Sequence, residues 1–370
     1  MQDKPNILFL THVSTYGGTG KYLLTVFRAL SPNYQCHLIC QEPGPLPENA
    51  KAAGVNTSFR RLRAWRKPKY FFLNWLTVNA IVHYCRIHGI KAIVSNFYRV
   101  TPFAVCAAKK LGIPSLTVIH DHAPVEKLAV FKVFDCDQLI CVSQSTREHV
   151  DKHFDREKTV IYNVIDAEVF ARQASTQAFR KEFALCDTTK VIVAIGSIVP
   201  DKGYDIFLQA MKIVSQEFDD IACFIVGRSP DEDLLNITDL KEYARRLGIE
   251  NKVFFTGRRE DISSILAASD LLAHASFKEA FGRVIIEAMA MKKAVVTTDC
   301  GGPREIVVHN QTGILVPVKD VQRLAEGCIE LLRNEDKRRQ MGQKGFDRVN
   351  ELFSEEHIKE KILKVFLQLV

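Results

Sequence analysis

Short apolar runs rich in Val and Ile recur along this chain, each separated from the next by a segment of helical character, and the series starts twice. The first series is NILFLTHV (6–13), QCHLICQ (35–41), KAIVS (91–95), PSLTVIH (114–120), QLICVS (138–143) and TVIYN (159–163). These runs are apolar throughout and do not alternate, the pattern of a parallel strand buried on both faces. Segments 19–31, 70–88, 100–111 and 144–153 lie between them and suit helices. The series restarts with KVIVAIGS (190–197) and continues with ACFIVG (222–227), KVFFTG (252–257), LLAHAS (271–276), KAVVTT (293–298) and GILVP (313–317). Strand–helix repetition of this kind argues a doubly wound α/β sheet, here twice over. Two α/β domains with a hinge near 164–172 account for 370 residues, at roughly 100–200 per domain. Helix-like stretches 319–331, 333–350 and 354–369 end the chain.

Apolar residues make up 47% and charged residues 25%, which excludes a disordered or fibrous chain. Charge is unevenly placed. Residues 1–170 hold 21 Lys and Arg against 13 Asp and Glu, whereas residues 171–370 hold 29 against 30. The first half therefore suits an acidic partner, whether nucleic acid, an anionic membrane or an anionic ligand, or else carries an excess of solvated lysines. The ten cysteines include no CxxC pair and no zinc-finger spacing, and several sit inside apolar runs. Buried free thiols and a cytoplasmic location are expected. MQDKPNILFLTHVS does not read as a signal peptide, and no run of about 20 apolar residues suggests a spanning helix.

After the first strand stands Tyr16-Gly17-Gly18-Thr19-Gly20-Lys21. It has neither Walker nor dinucleotide spacing, so it is either a ligand-facing loop or a tight strand–helix turn. The second half is richer. Gly196-Ser197-Ile198-Val199-Pro200-Asp201-Lys202-Gly203 follows a strand and precedes a helix, which suits a diphosphate or an ordinary loop lysine. Glu279-Ala280-Phe281-Gly282-Arg283 opens a helix that carries Glu287. Two carboxylates so placed can accept hydrogen bonds from a vicinal diol, while amides near Phe281–Arg283 meet an anion. Equally, they can be solvated glutamates at a helix start.

Taken in order, these segments resemble glycosyltransferase family 4, the GT-B retaining enzymes. Glu279 and Glu287 with Phe281-Gly282 between them match its signature of two glutamates. Gly196…Lys202-Gly203 matches its phosphate loop. Thr256-Gly257, Gly301-Gly302-Pro303-Arg304-Glu305, Thr312-Gly313-Ile314-Leu315-Val316, Gly17-Gly18, His120-Asp121, Val142-Ser143 and Asn163-Val164-Ile165-Asp166 match further segments. The resemblance runs nearly end to end. It implies two Rossmann-like domains facing each other across a cleft. Residues 1–168 form the acceptor-binding domain, with 354–370 packing back on it, and 169–353 the nucleotide-sugar domain. It further implies a catalytic set of His120, Lys202 and Glu279. Glu287 would hold the ribose, and Glu279 with the amides at Phe281 and Gly282 the donor sugar. Lys202 would sit on the diphosphate, Gly17 and Gly18 near the same region, and the backbone at Gly257-Arg258 against the base.

Two departures stand out. Ser197 replaces the family's usual Arg, so Lys202 must do more or Arg283 or Arg258 must help. Asn163-Val164 replaces Asn-Gly, which alters a local turn because Val disfavours positive φ. The resemblance implies no metal and no cofactor beyond the sugar nucleotide. Asp135-Cys136-Asp137 and Asp231-Glu232-Asp233 only superficially resemble a metal-binding Asp-x-Asp pair. Segment 59–75 holds Arg60, Arg61, Arg63, Arg66, Lys67 and Lys69 with Trp65 and Trp75. Cations beside aromatics suit an anionic membrane or acceptor. Alternatively the rings are core and the arginines a solvated loop. No nucleic-acid motif accompanies them. The expected activity is metal-independent transfer from a nucleotide sugar, with UDP favoured, to a lipid-linked or cell-surface glycan. A small soluble acceptor or a non-catalytic sugar-nucleotide binder are the alternatives, and the place of work is the cytoplasm or the inner membrane face.

Overall fold

The computed structural model describes residues 4–172, 174–229 and 237–370. The first series of apolar runs becomes β1 (Asn6–Thr11), β2 (Gln35–Cys40), β4 (Ile90–Ser95), β5 (Ser115–Ile119), β6 (Gln138–Cys141) and β7 (Glu157–Val160). One further strand, β3 (Asn56–Phe59), was not evident in the sequence. Its Asn-Thr-Ser-Phe stretch pairs only with β2 at the sheet edge, so it has no second buried face to fill and shows no apolar run. All these strands run parallel, in the order β3-β2-β1-β4-β5-β6-β7. The second series becomes β8 (Lys190–Ile195), β9 (Ile221–Val226), β10 (Val253–Gly257), β11 (Leu271–His274), β12 (Ala294–Thr298) and β13 (Ile314–Val316). They too are parallel, in the order β10-β9-β8-β11-β12-β13.

In each sheet the winding reverses once, between β1 and β4 in the first and between β8 and β11 in the second. Loops leaving the strand ends diverge at such a reversal and open a crevice there. The inner strands are solvent-free, as the unbroken apolar runs require; Leu8, Ile93, Val193 and Leu272 are examples.

The chain divides into two compact units, Met1–Val164 with Glu355–Val370, and Ile165–Ser354. The last helix, Glu355–Leu369, lies on the helix Gly18–Leu30 of the first unit. Phe366 meets Phe9 at 6.0 Å, and Arg28 donates to Glu355. In the second unit the helices Tyr204–Glu217 and Val321–Arg333 cover one core, with Phe207, Leu324 and Leu331 free of solvent. All ten cysteines are free thiols, and burial pushes Cys36, Cys85 and Cys223 up to about 12. No helix among the described residues is long and apolar enough to cross a membrane.

Candidate active site

The frame of the site is backbone. Gly196 N–H donates to Val226 O and Ile198 N–H to Arg228 O, both at 2.9 Å, which extends β8 beyond its end beside β9. A single 3-10 turn, Pro200–Lys202, then leads to Gly203 at φ +62°. A Cβ on Gly203 would lie 2.2 Å from the Ala275 carbonyl oxygen. Only glycine lets the loop after β8 touch the loop after β11 here. Phe277 N–H donates to Asp201 O at 2.8 Å and locks the two loops together. Lys202 is thereby carried to the switch point of the second sheet. Tyr204, absent from the sequence-based set, donates its hydroxyl to Gly196 O at 2.8 Å and steadies the turn.

Glu279 arrives from the other side of that switch point. Gly302 N–H donates to its carbonyl at 2.9 Å, and a Cβ on Gly302 would lie 2.3 Å from Phe281 Cα. The loop after β12 thus clamps the Glu279–Phe281 backbone. The Glu279 carboxylate is largely buried and takes an ion pair from Lys202 Nζ. His274 Nε2 stands 3.4 Å from the same oxygen. Burial alone would push Glu279 upward, but the Lys202 ammonium and the His274 contact outweigh it and hold the carboxyl down to about 2. It is a carboxylate at any physiological pH. His274 is lowered, chiefly by burial and against the pull of Glu279. Its Nδ1 lies 3.0 Å from Thr297 Oγ1 and its Nε2 3.0 Å from Ser276 Oγ. A neutral ring serves all three partners, with Nδ1 accepting from Thr297 and Nε2–H facing Glu279 and Ser276.

Gly282, at φ +98°, precedes the helix Arg283–Ala290. The first turn of this helix therefore starts at the loop cluster, with the amides of Phe281–Arg283 at its N-terminal end. Glu287 is only 7% exposed, and Arg283 one turn earlier stands 3.5 Å from it. A buried carboxylate needs such a partner.

The structure therefore brings Gly196, Lys202, Glu279, Phe281, Gly282, Arg283 and Glu287 to the loops leaving β8 and β11. Ser197 is exposed in the same turn. Arg228, also missed in the sequence, is exposed where β9 ends beside that turn. Gly257 and Arg258 stand two strands from β8, about 10 Å away at parallel-strand spacing. Gly257 has φ +68° with open space around it, and Arg258 pairs with Glu260 at 2.7 Å. In sequence the signal for His274 was faint: a single polar ring in the apolar run LLAHAS.

In the first unit, Gly17 caps the helix Gly18–Leu30 and both glycines are exposed, with open space where a Gly17 Cβ would stand. His120 follows β5 and donates from Nε2 to Asn96 Oδ1 at 3.2 Å, while Tyr22 meets its ring edge-on at 5.2 Å. Asn96 and His12 were not foreseen. Asn96 Nδ2 donates to Thr19 O, tying the glycine loop to the end of β4. His12 lies 5.0 Å from Phe97, and burial with Arg99 nearby lowers it to about 4.

The basic segment is not uniform. Arg60, Arg61, Arg66, Lys67 and Lys69 are exposed and Arg63 is half-buried. Trp65 turns inward, its ring edge-on to Phe103 at 5.3 Å between two hydrophobic clusters, so it does not share the exposed row with Trp75. Asp135 pairs with Lys132 and Lys109, and Asp137 accepts from Ser115 N–H at 2.8 Å. Both act as structural carboxylates. Asp231-Glu232-Asp233 lies outside the described residues.

Two consecutive doubly wound parallel sheets, each with its functional loops at a winding reversal, define the GT-B class of fold. Solved structures share it across nearly the whole chain. HepE of Anabaena, solved in complex with UDP-glucose, superposes with a TM-score of 0.85 at 23% identity, over 98% of this chain and 100% of that one. WaaG, a glycosyltransferase involved in lipopolysaccharide biosynthesis, does so with a TM-score of 0.73 at 15% identity, over 96% and 99%. At such identities these likenesses speak for the fold alone. In sequence, residues 175–348 match the family of glycosyl transferases group 1, and residues 16–169 match Glycosyltransferase Family 4. N-acetyl-alpha-D-glucosaminyl L-malate synthase of Bacillus anthracis is 30% identical over 282 residues, 75% of this chain and 71% of that protein. The chain belongs to glycosyltransferase family 4, and it is a retaining glycosyltransferase of the hexosyl-transferring type.

Proposed function

We propose that the protein moves a hexosyl residue from a UDP-sugar to a lipid-linked or cell-surface glycan, without a metal ion, at the cytoplasmic face of a membrane. The Lys202–Glu279–His274 cluster at the switch point of the second sheet carries this reading. A fixed ammonium beside glycine-loop amides suits a diphosphate, and a permanently ionised carboxylate next to it suits sugar hydroxyls. Glu287 takes the ribose diol, and the open backbone at Gly257-Arg258 takes the base. The naming of UDP draws support from the UDP-glucose complex of HepE.

In the reaction the bond from the anomeric carbon to the diphosphate oxygen breaks, and its electron pair leaves with UDP. The acceptor hydroxyl oxygen bonds to the same face of that carbon. Its proton passes to the departing phosphate oxygen. Lys202, the Ser197 amide and the helix start at Phe281–Arg283 stabilise the charge that develops on the leaving group. His120, bonded to Asn96, orients the reacting sugar and is not asked to act as a base. Gly17 and Gly18 leave room for the donor at the end of β1.

Two observations favour a second reading, transfer to a small anionic acceptor. The relative at 30% identity is named for synthesis on L-malate, and the first half of this chain carries the whole basic excess. A panel of UDP- and GDP-sugars, followed by calorimetry and nucleotide release, tests the donor. Saturable binding of one UDP-sugar is expected, and absence of binding across the panel overturns the proposal. With that donor, mass analysis of products from glycolipid acceptors and from malate-like hydroxy acids separates the two readings.

A further inference from the structure

Residues 49–120 hold 12 Lys and Arg and not one Asp or Glu. A like-charged stretch of that length inside a folded unit has to meet something anionic or be spread over solvent. The structure concentrates it beside an uncovered apolar surface. The helix Phe71–Ile87 buries Asn74, Thr77, Val78, Ile81, Val82 and Cys85, and packs on the helix Thr101–Leu111. Its opposite side, over the first turn and a half, is Phe71 at 79% exposure, Phe72 at 64%, Trp75 at 49% and Leu76 at 42%. Phe72 and Trp75 stack at 6.0 Å, so the rings form one surface. Lys110 Nζ stands 5.8 Å from the Trp75 ring, and Lys67 and Lys69 are exposed in the approach to the helix. Contiguous rings of this kind, rimmed by cations, mark an interaction surface.

We propose that the start of the helix Phe71–Ile87, flanked by Lys67, Lys69 and Lys110, docks on a membrane whose lipids carry anionic headgroups. Charge complementarity names the occupant. Lysines rimming an apolar ridge suit a plane that is negative at its headgroups and hydrocarbon just beneath. The ridge offers Phe and Leu, which have no hydrogen bond to give a nucleic acid backbone. A helix of 17 residues with one face packed on its neighbour lies along the interface and does not cross it. Topology gives the contact a purpose. The helix follows β3 and returns to the start of β4, so it runs against the parallel strands. Its first turns therefore lie at the carboxyl end of the sheet, the end that carries Gly17, Gly18 and His120. Docking there holds those loops beside the lipid surface. The inference does not depend on which donor is used, because it concerns a surface of the first unit alone.

Flotation of the full chain with phosphatidylcholine vesicles, and with vesicles of equal parts phosphatidylcholine and phosphatidylglycerol, tests the proposal. Trp65 and Trp75 are the two tryptophans of the chain. A Trp65→Phe variant makes Trp75 the sole reporter, and the difference between wild type and Trp75→Phe serves if that variant folds poorly. Flotation only with the anionic vesicles, together with a blue shift of Trp75 emission, is expected. Phe72→Ser with Leu76→Ser, both on the surface, should lower partitioning by about tenfold or more while circular dichroism stays unchanged. Lys67→Glu with Lys69→Glu should lower it by about tenfold, and added salt should mimic that loss. Absence of flotation, equal flotation with both vesicles, or an unshifted Trp75 overturns the proposal. So does finding that the ridge variants abolish self-association and leave vesicle binding intact, which would assign the face to a second copy of the chain.

Discussion

The two units share a winding pattern and differ in where they keep their charge. In the second unit the charges at the switch point are paired and screened from solvent: Lys202 on Glu279, and Arg283 on Glu287. In the first unit the equivalent loops hold rings and an amide, His12, Phe97, His120 and Asn96, while a cluster of cations lies outside on segment 60–69. The difference teaches what each crevice is prepared to do. Buried, oriented charges need no reorganisation to meet a diphosphate. Rings and amides suit a sugar face and its hydroxyls, and cations on the outside act on a partner that stays outside.

The sharpest way to break that contrast is to remove the buried cation. Lys202→Met should lower kcat by about 10² to 10³ in a nucleotide-release assay. It should also lower the melting temperature, because Glu279 keeps its burial and loses its counter-ion. Adding Glu279→Gln should restore the melting temperature without restoring turnover. Wild-type turnover in Lys202→Met would remove the pair from the chemistry. Next in size is Glu287→Ala, expected to weaken donor binding by about tenfold to a hundredfold in calorimetry while far-UV circular dichroism stays unchanged. Unaltered affinity would take Glu287 out of the site.

A smaller effect is expected at His274, which acts through Glu279. His274→Gln keeps an N–H toward the carboxylate, and His274→Phe does not. The Phe variant should lose about tenfold in kcat with little change in KM, and the Gln variant should recover most of that loss. A change confined to stability, equal in both variants, would give His274 a purely structural role. The smallest effect is a pH dependence carried by the neutral rings of the first unit. Burial, with Arg99 nearby, lowers His12 to about 4, and burial, with His88 nearby, lowers His37 to about 4. Below the ordinary histidine value of 6.5 the unfolded chain takes up protons that the folded one refuses. Stability should therefore be flat above that value and fall progressively toward pH 4. His37→Gln should flatten the slope in denaturant midpoints measured at pH 7 and pH 5, and an unchanged slope would place the acid sensitivity elsewhere.

Much of the fold was legible because both sheets are parallel and covered on both faces. Such strands advertise themselves as unbroken apolar runs, and the runs at 35–41, 222–227 and 293–298 became β2, β9 and β12 with no end moved by more than one residue. β3 stayed hidden because an edge strand has little apolar surface to fill. The two glutamates and the lysine loop were visible because charged residues beside glycines at strand ends are unusual. Tyr204, Asn96 and His274 were not, since each acts through a partner outside its own helix, strand or loop: Tyr204 on the backbone of Gly196, Asn96 on His120, His274 on Thr297.

The amino-acid order by itself determined two α/β halves, the placement of the basic excess in the first, and the residues able to meet a sugar nucleotide. Those follow from local periodicity and composition, which need no knowledge of distant neighbours. Tertiary structure alone decided which groups share a charge. Lys202 and Glu279 are 77 residues apart, and they meet because Gly203 lets two strand-end loops touch. It also decided which tryptophan faces out. Trp65 and Trp75 stand in the same basic–aromatic segment. One lies on Phe103 and the other in the exposed ridge, because helix phase and the packing of the neighbouring helix divide the surface between them.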